Sequence, residues 1–130
     1  MSSYTIRNFE QIENSAEAFG LDSGLDARFP SRELGCEKTG VSVQRLAPEF
    51  RIPFGHSHPE QEEVYVVVEG SGRIKLDDNV HDLKRWDLVR IGPGVMHAME
   101  AGPQGMQIVA FGAPGPQRGD AELVQGWWKG

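Results

Sequence analysis

From about residue 26 to residue 111 the chain alternates apolar and polar residues in short runs, separated by Gly, Pro, Asp and Asn. Alternation with a period of two is the pattern of a strand buried on one face. Strands are therefore predicted over 26–34, 41–46, 50–58, 63–69, 72–77, 80–83, 88–91, 96–101 and 106–111. Many short strands at this even spacing predict an antiparallel sandwich or barrel, an all-β fold. Asp77-Asp78-Asn79 and Glu69-Gly70-Ser71-Gly72 have the composition of hairpin turns. Ahead of the strands, Phe9, Ile12, Ala16 and Phe19 fall at helical spacing, with Asn8 placed to cap, Gln11 three residues on and Gly20 to stop. This predicts one short N-terminal helix. The chain then divides into an N-terminal extension (1–25), a barrel (26–115) and a C-terminal tail (116–130) that packs on the barrel, where Trp127 and Trp128 either cover the core or form an exposed association surface.

A length of 130 residues suits one core. The formal charge is −6 and no basic block exceeds Lys84-Arg85, so nucleic acid and anionic lipid are disfavoured as partners. The longest apolar run, Val64 to Val68, is far too short to span a membrane, and the first residues (MSSYTIRNFE) lack the basic and apolar regions of a secretion leader. A cytoplasmic location is expected by default. Arg118-Gly119-Asp120 spells an adhesion tripeptide, which is read as chance in an acidic chain without such a leader. With Cys36 as the one cysteine, no intrachain disulfide forms, and any metal must be held by His, Asp or Glu.

Chemistry concentrates in two segments. The first, Gly55-His56-Ser57-His58-Pro59-Glu60-Gln61-Glu62-Glu63, runs into the apolar strand Val64 to Val68 and stops at Gly70. Alternate side chains of a strand share a face, so His56 and His58 project together, each able to approach one ion at about 2.0–2.1 Å. Pro59 breaks the strand, and Glu63 re-enters on the same face as Tyr65 and Val67. The second segment ends a strand near Ile91, turns on Gly92-Pro93-Gly94 and presents His97. Three imidazoles and one carboxylate can meet. Glu62 is the competing carboxylate and is expected to face solvent or to support the ligands from behind, and His81 in its hairpin is expected at the surface.

The two segments resemble the paired motifs of the cupin superfamily over residues 55 to 101, and the strands from about 40 to 111 resemble a whole single-domain member. The resemblance implies a jelly-roll β-barrel, with a divalent metal in its mouth held by His56, His58, Glu63 and His97. The second motif departs from the family pattern at Trp86, where Gly is usual, at Gly92, where Pro is usual, and at Ala101, where Asn is usual.

Parity drafts the surroundings. Phe54 shares a face with His56, Tyr65 and Val67 share that of Glu63, and Met99 shares that of His97, so an apolar pocket with one phenol is expected. Either Gln44 or Arg45 points inward from 41–46, and Arg45, if inward, would anchor a carboxylate. Four protein ligands leave up to two positions on an octahedral ion, the open arrangement of a catalytic site. Nitrogen-rich ligation suits Fe, Mn, Ni, Cu or Zn. The expected function is a metal-dependent enzyme acting on a small organic molecule, of oxygenase or isomerase type, with Tyr65 as candidate catalytic residue; the alternative is a non-catalytic metal or small-ligand binding module. Because Val64, Val66 and Val68 are apolar too, the opposite face needs a cover, and either the N-terminal segment or a second subunit in a homodimer would supply it.

Overall fold

The computed structural model describes residues 3–115 and 121–130. Among these residues eight strands form one antiparallel sheet: β1 (Leu25–Arg28), β2 (Gly40–Leu46), β3 (Phe54–Ser57), β4 (Glu62–Leu76), β5 (Asn79–Lys84), β6 (Leu88–Ile91), β7 (His97–Ala113) and β8 (Glu122–Gln125). The tripeptide Arg118-Gly119-Asp120 lies outside the described residues.

The two long strands organise everything else. β4 and β7 pair along their whole lengths, from Glu62 opposite Ala113 to Leu76 opposite His97, with register shifts between Val67 and Glu69 and between Gly70 and Gly72. The first half of β4 and the second half of β7 are flanked by β6 on one side and by β2 and β1 on the other. The remaining halves are flanked by β5 and by β3 and β8. At the shift the ribbon folds over, so these two sets of strands face each other across a shared core. Tyr65, Val67, Ile91 and Ile108 come from one set and Ile74 and Met99 from the other, all essentially without exposure. This is the all-β jelly-roll arrangement expected from the alternating runs.

The bend corrects the hairpin predicted at Glu69-Gly70-Ser71-Gly72. Those residues stay in the sheet and form a bulge, so 63–69 and 72–77 are one strand, as are 96–101 and 106–111. The physical reason lies in two glycines. Gly70 (φ 74°), paired with Met106, and Gly105 (φ 81°) beside that partner take left-handed backbone, and a Cβ on Gly70 would sit 2.1 Å from the Gly105 carbonyl oxygen. Only glycine lets the strands approach so closely while turning. The other predicted turn holds: Asp77 and Asp78 close a two-residue loop between Leu76 and Asn79.

Three other expectations change. The single N-terminal helix is two 3-10 turns, Phe9–Gln11 and Ser15–Phe19. Asn8 and Gln11 form the expected reciprocal cap and Gly20 the expected stop. Asn14, however, caps a second turn, its Oδ1 accepting from the N–H groups of Ala16 (3.0 Å) and Ala27 (2.9 Å), an interaction a continuous helix would forbid. The strand predicted over 26–34 ends at Arg28, because Pro30 and Gly35 (φ 74°) delimit one helical turn, α1 (Ser31–Leu34). The strand predicted over 50–58 is shortened to β3, with Arg51 forming a lone bridge to Glu100. β8, which pairs with β3, was not foreseen. Beyond it Trp128 is 9% exposed beneath the Arg51 and Arg73 guanidinia, and the Trp127 ring lies under the Lys75 ammonium. No helix among the described residues is long and apolar enough to cross a membrane.

Candidate metal centre

Strand pairing sets the first contact. His56 of β3 is directly opposite His97 of β7, and their rings stand 4.1 Å apart between centroids. From the facing set of strands, Glu63 reaches across the core: its Oε1 lies 3.2 Å from His97 Nε2 and 3.3 Å from His58 Nε2. His56, Glu63 and His97 each offer a ligand atom within 4.8 Å of the others. His58 lies just past the end of β3 rather than in a strand, and its carbonyl accepts from the Gly94 N–H at 2.8 Å, which fastens the Gly92-Pro93-Gly94 turn beside the cluster.

His97 is 1% exposed and its orientation is set by its partners. A backbone carbonyl only accepts, so Nδ1 donates to Val95 O at 2.9 Å and Nε2 turns its lone pair to the cluster. There the Tyr65 hydroxyl, 3.1 Å away, donates to it. Burial raises the Tyr65 phenol well above its usual value, with the Glu63 charge adding to the effect. Burial lowers His56 to about 3, assisted by His97, so its imidazole is neutral near pH 7. Burial also works against the Glu63 carboxylate, but the His58 and His97 imidazoles beside it outweigh that and bring the group down to about 2. Glu63 Oε1 is nevertheless a buried oxygen without a hydrogen-bond partner. A buried carboxylate oxygen facing imidazole nitrogens is the arrangement a cation completes, and the donor set of imidazoles and one carboxylate fits a divalent transition metal.

The cluster forms the floor of a cavity of about 570 Å³. Phe54, Tyr65 and Met99 line it, whereas Val67, fully buried, belongs to the core behind. Of the two β2 candidates Gln44 faces the cavity, its Nε2 donating to Ser42 Oγ at 3.3 Å. Arg45 does not line it: the strand's parity turns it outward, and its guanidinium lies 4.3 Å over the Phe9 ring. Glu62 also points away and pairs with Arg90 at 2.7 Å, and His81 is exposed on β5. The sequence reading missed Ser42 and the N-terminal residues Ile12, Ala16 and Leu21 as cavity walls. The alternation of β2 carries Ser42 with Gln44, but nothing local in residues 12–21 says which surface that segment covers.

Comparison with known proteins agrees with this architecture. The cupin domain family model matches residues 42–110. A germin-like protein of Morus alba is 34% identical over 105 residues, 74% of this chain; the chain spans only 48% of that relative. Among solved structures, a cupin protein from Bacteroides fragilis superposes with a TM-score of 0.72 at 22% identity, over 92% of both chains. An oxalate decarboxylase from Bacillus subtilis gives 0.75 at 23% identity, over 93% of this chain and 33% of that one, and another structure of that enzyme is described by its Mn(II) centres. With the family model covering more than half of the chain and the same jelly roll in the solved relatives, the protein belongs to the cupin domain family.

Proposed function

We propose that the protein is a metal-dependent enzyme acting on a small organic molecule, by oxygenase or isomerase chemistry. The observation that supports this most is the unpartnered, buried Glu63 Oε1 beside imidazole nitrogens at the floor of an open cavity. A cation would be held by His56, Glu63 and His97, with His58 completing the set beside Glu63. Bound there, Fe, Mn, Ni, Cu or Zn would polarise a carbonyl or enediol, or activate dioxygen. The chain's own residues do the rest. With a cation on the His97 Nε2 lone pair, the Tyr65 hydroxyl that now donates there would be released to the same cavity as a protonated phenol, able to orient a substrate oxygen or to give it a proton. Gln44 and Ser42 offer an amide and a hydroxyl to a polar substituent, and the apolar walls hold water back. The test is metal content after purification without a nickel column: His97→Ala should lose most of the metal and His81→Ala should keep it, and equal contents would overturn the site. Tyr65→Phe should change turnover far more than metal content. A screen that finds ligands but no consumed substrate would leave a binding module instead.

We also infer a homodimer through the outer face of the sheet. The N-terminal segment packs on β1 and over the cavity, leaving Leu88 71% and Phe111 46% exposed beside Val66 and Val64, their respective pairing partners. Leu88→Glu should yield a monomer by light scattering if this face is the interface; a monomer before substitution would reject it.

A further inference from the structure

The cavity is larger and more apolar than a small acid needs, and its outer wall comes from a part of the chain that the cupin motifs do not include. About 570 Å³ lies in the range that encloses a ligand of several rings or a medium alkyl chain. Ile12, Ala16 and Leu21 close one side, and they are held there by built contacts. Asn14 Oδ1 ties the segment to the N–H of Ala27 on β1. Arg28 Nη1 donates to the carbonyls of Phe9 and Ile12, both at 3.1 Å, and the Phe9 ring is stacked by the Arg28 and Arg45 guanidinia, each at 4.3 Å.

The rim supplies an independent observation. Phe19, Phe29 and Leu123 are 71%, 52% and 50% exposed, and all three line this same cavity. Exposed large apolar side chains gathered at one opening mark a binding groove more often than chance surface. Ser42, Gln44 and Gln61 line the cavity with uncharged polar groups; the charged lining residues away from the cluster are Glu13 and Arg32, both exposed, and the half-buried Glu33, whose carboxylate would repel an anionic body.

We propose that the ligand carries an oxygen-donor head, bound at the His56, Glu63 and His97 cluster, and an uncharged apolar body seated against residues 12–21. The N-terminal segment is thus the element that selects substrates, favouring apolar bodies over dicarboxylates. This rests on the metal-centred reading above. Each methylene moved from water into the cavity is worth about 0.8 kcal/mol, close to a fourfold gain in affinity.

A hydroxamate series read by the visible spectrum of the cobalt(II)-loaded protein tests it. From acetohydroxamate to hexanohydroxamate, affinity should rise at least tenfold, and succinic monohydroxamate, with its charged tail, should bind more weakly than pentanohydroxamate. Phe19→Ala, which removes an exposed ring, and Ala16→Leu, which fills the wall, should each cut the tail-dependent gain several-fold. A flat series, a preference for the charged tail, or a full gain in both variants would overturn the proposal. Failure to take up cobalt would overturn the metal reading instead. In that case 1-naphthol binding to the metal-free protein, followed by tryptophan fluorescence, decides the cavity: binding weakened by Phe19→Ala supports it and no binding rejects it.

Discussion

Glu63 and His97 stand at opposite ends of the pairing of β4 with β7, Glu63 opposite Gly112 and His97 opposite Leu76, yet their side chains meet at 3.2 Å. Straight strands would hold these ends apart, since each residue adds about 3.3 Å along a strand. The fold over Gly70 and Gly105 brings them together, so one backbone feature makes the site.

That relationship singles out Glu63 over its neighbour. Glu63→Gln should lower metal content severalfold or more, because the buried carboxylate faces His58 and His97. Glu62→Gln should leave the metal in place and change stability by less than about 1 kcal/mol, as expected for an exposed pair with Arg90. Metal analysis of both variants checks this. The reverse result would contradict the register of β4, because a one-residue slip exchanges the two faces.

The bend itself can be tested without reference to a ligand. Gly70→Ala forces a residue with a Cβ into left-handed backbone, costing about 1–2 kcal/mol, and drives that Cβ into the Gly105 carbonyl. Gly20→Ala carries the same backbone demand (φ 70°) but has open space around it. Calorimetry should show a markedly larger fall in Tm for Gly70→Ala than for Gly20→Ala, with metal content falling only in the former. Equal losses would mean that the close approach of β4 and β7 carries no energetic weight.

The candidate ligand residues are legible in the sequence as a cluster because their spacing is local. A parity argument over 54–67 suffices to turn His56, Glu63 and Tyr65 inward, and the Asp77-Asp78 loop follows from composition. The bulge was not legible, since Glu69-Gly70-Ser71-Gly72 reads alike as a tight turn or as glycines permitting close approach, and the choice depends on Gly105, thirty-five residues away. Arg45 was ambiguous for a related reason: parity turns Gln44 or Arg45 inward but does not say which, and the decision comes from the pairing of β2 with β7 and the Phe9 ring. Apolar spacing alone does not separate two 3-10 turns from one helix at the N-terminus, because the Asn14 bond to Ala27 that divides them is a tertiary contact.

A departure from the family pattern proves informative in the structure. Trp86, where Gly is usual, takes φ 74° in the turn closed by the Asp87 N–H to the Lys84 carbonyl at 3.0 Å. A left-handed residue at the third position of a turn favours glycine. The indole is 58% exposed, so little packing repays the strain. Trp86→Gly should therefore raise stability, by up to about 1 kcal/mol once the greater freedom of glycine in the unfolded chain is subtracted. Denaturant titration would show it, and a lower midpoint would assign the indole a stabilising contact, such as the one with the Arg85 guanidinium 5.1 Å from its ring.

The tail carries the last prediction. The Glu100 carboxylate accepts from Arg51 Nε at 2.7 Å and from Arg73, and both guanidinia cover the Trp128 ring. Arg51 also donates to the Trp128 carbonyl at 3.2 Å. Burial alone would raise the Glu100 carboxyl, but the hydrogen bonds from Arg73 and Arg51 win and hold it below its usual 4.5. A depressed carboxylate stabilises the fold above its unfolded value, and that contribution fades as pH falls through 4.5 and then through the folded value. Glu100→Gln should accordingly lower Tm near pH 7, and its difference from the unsubstituted protein should close on acidification below 4.5. Tryptophan fluorescence should report the same pH dependence as Trp128 loosens. A Tm difference that stays constant with pH would show that the side chain acts through packing and not through its charge.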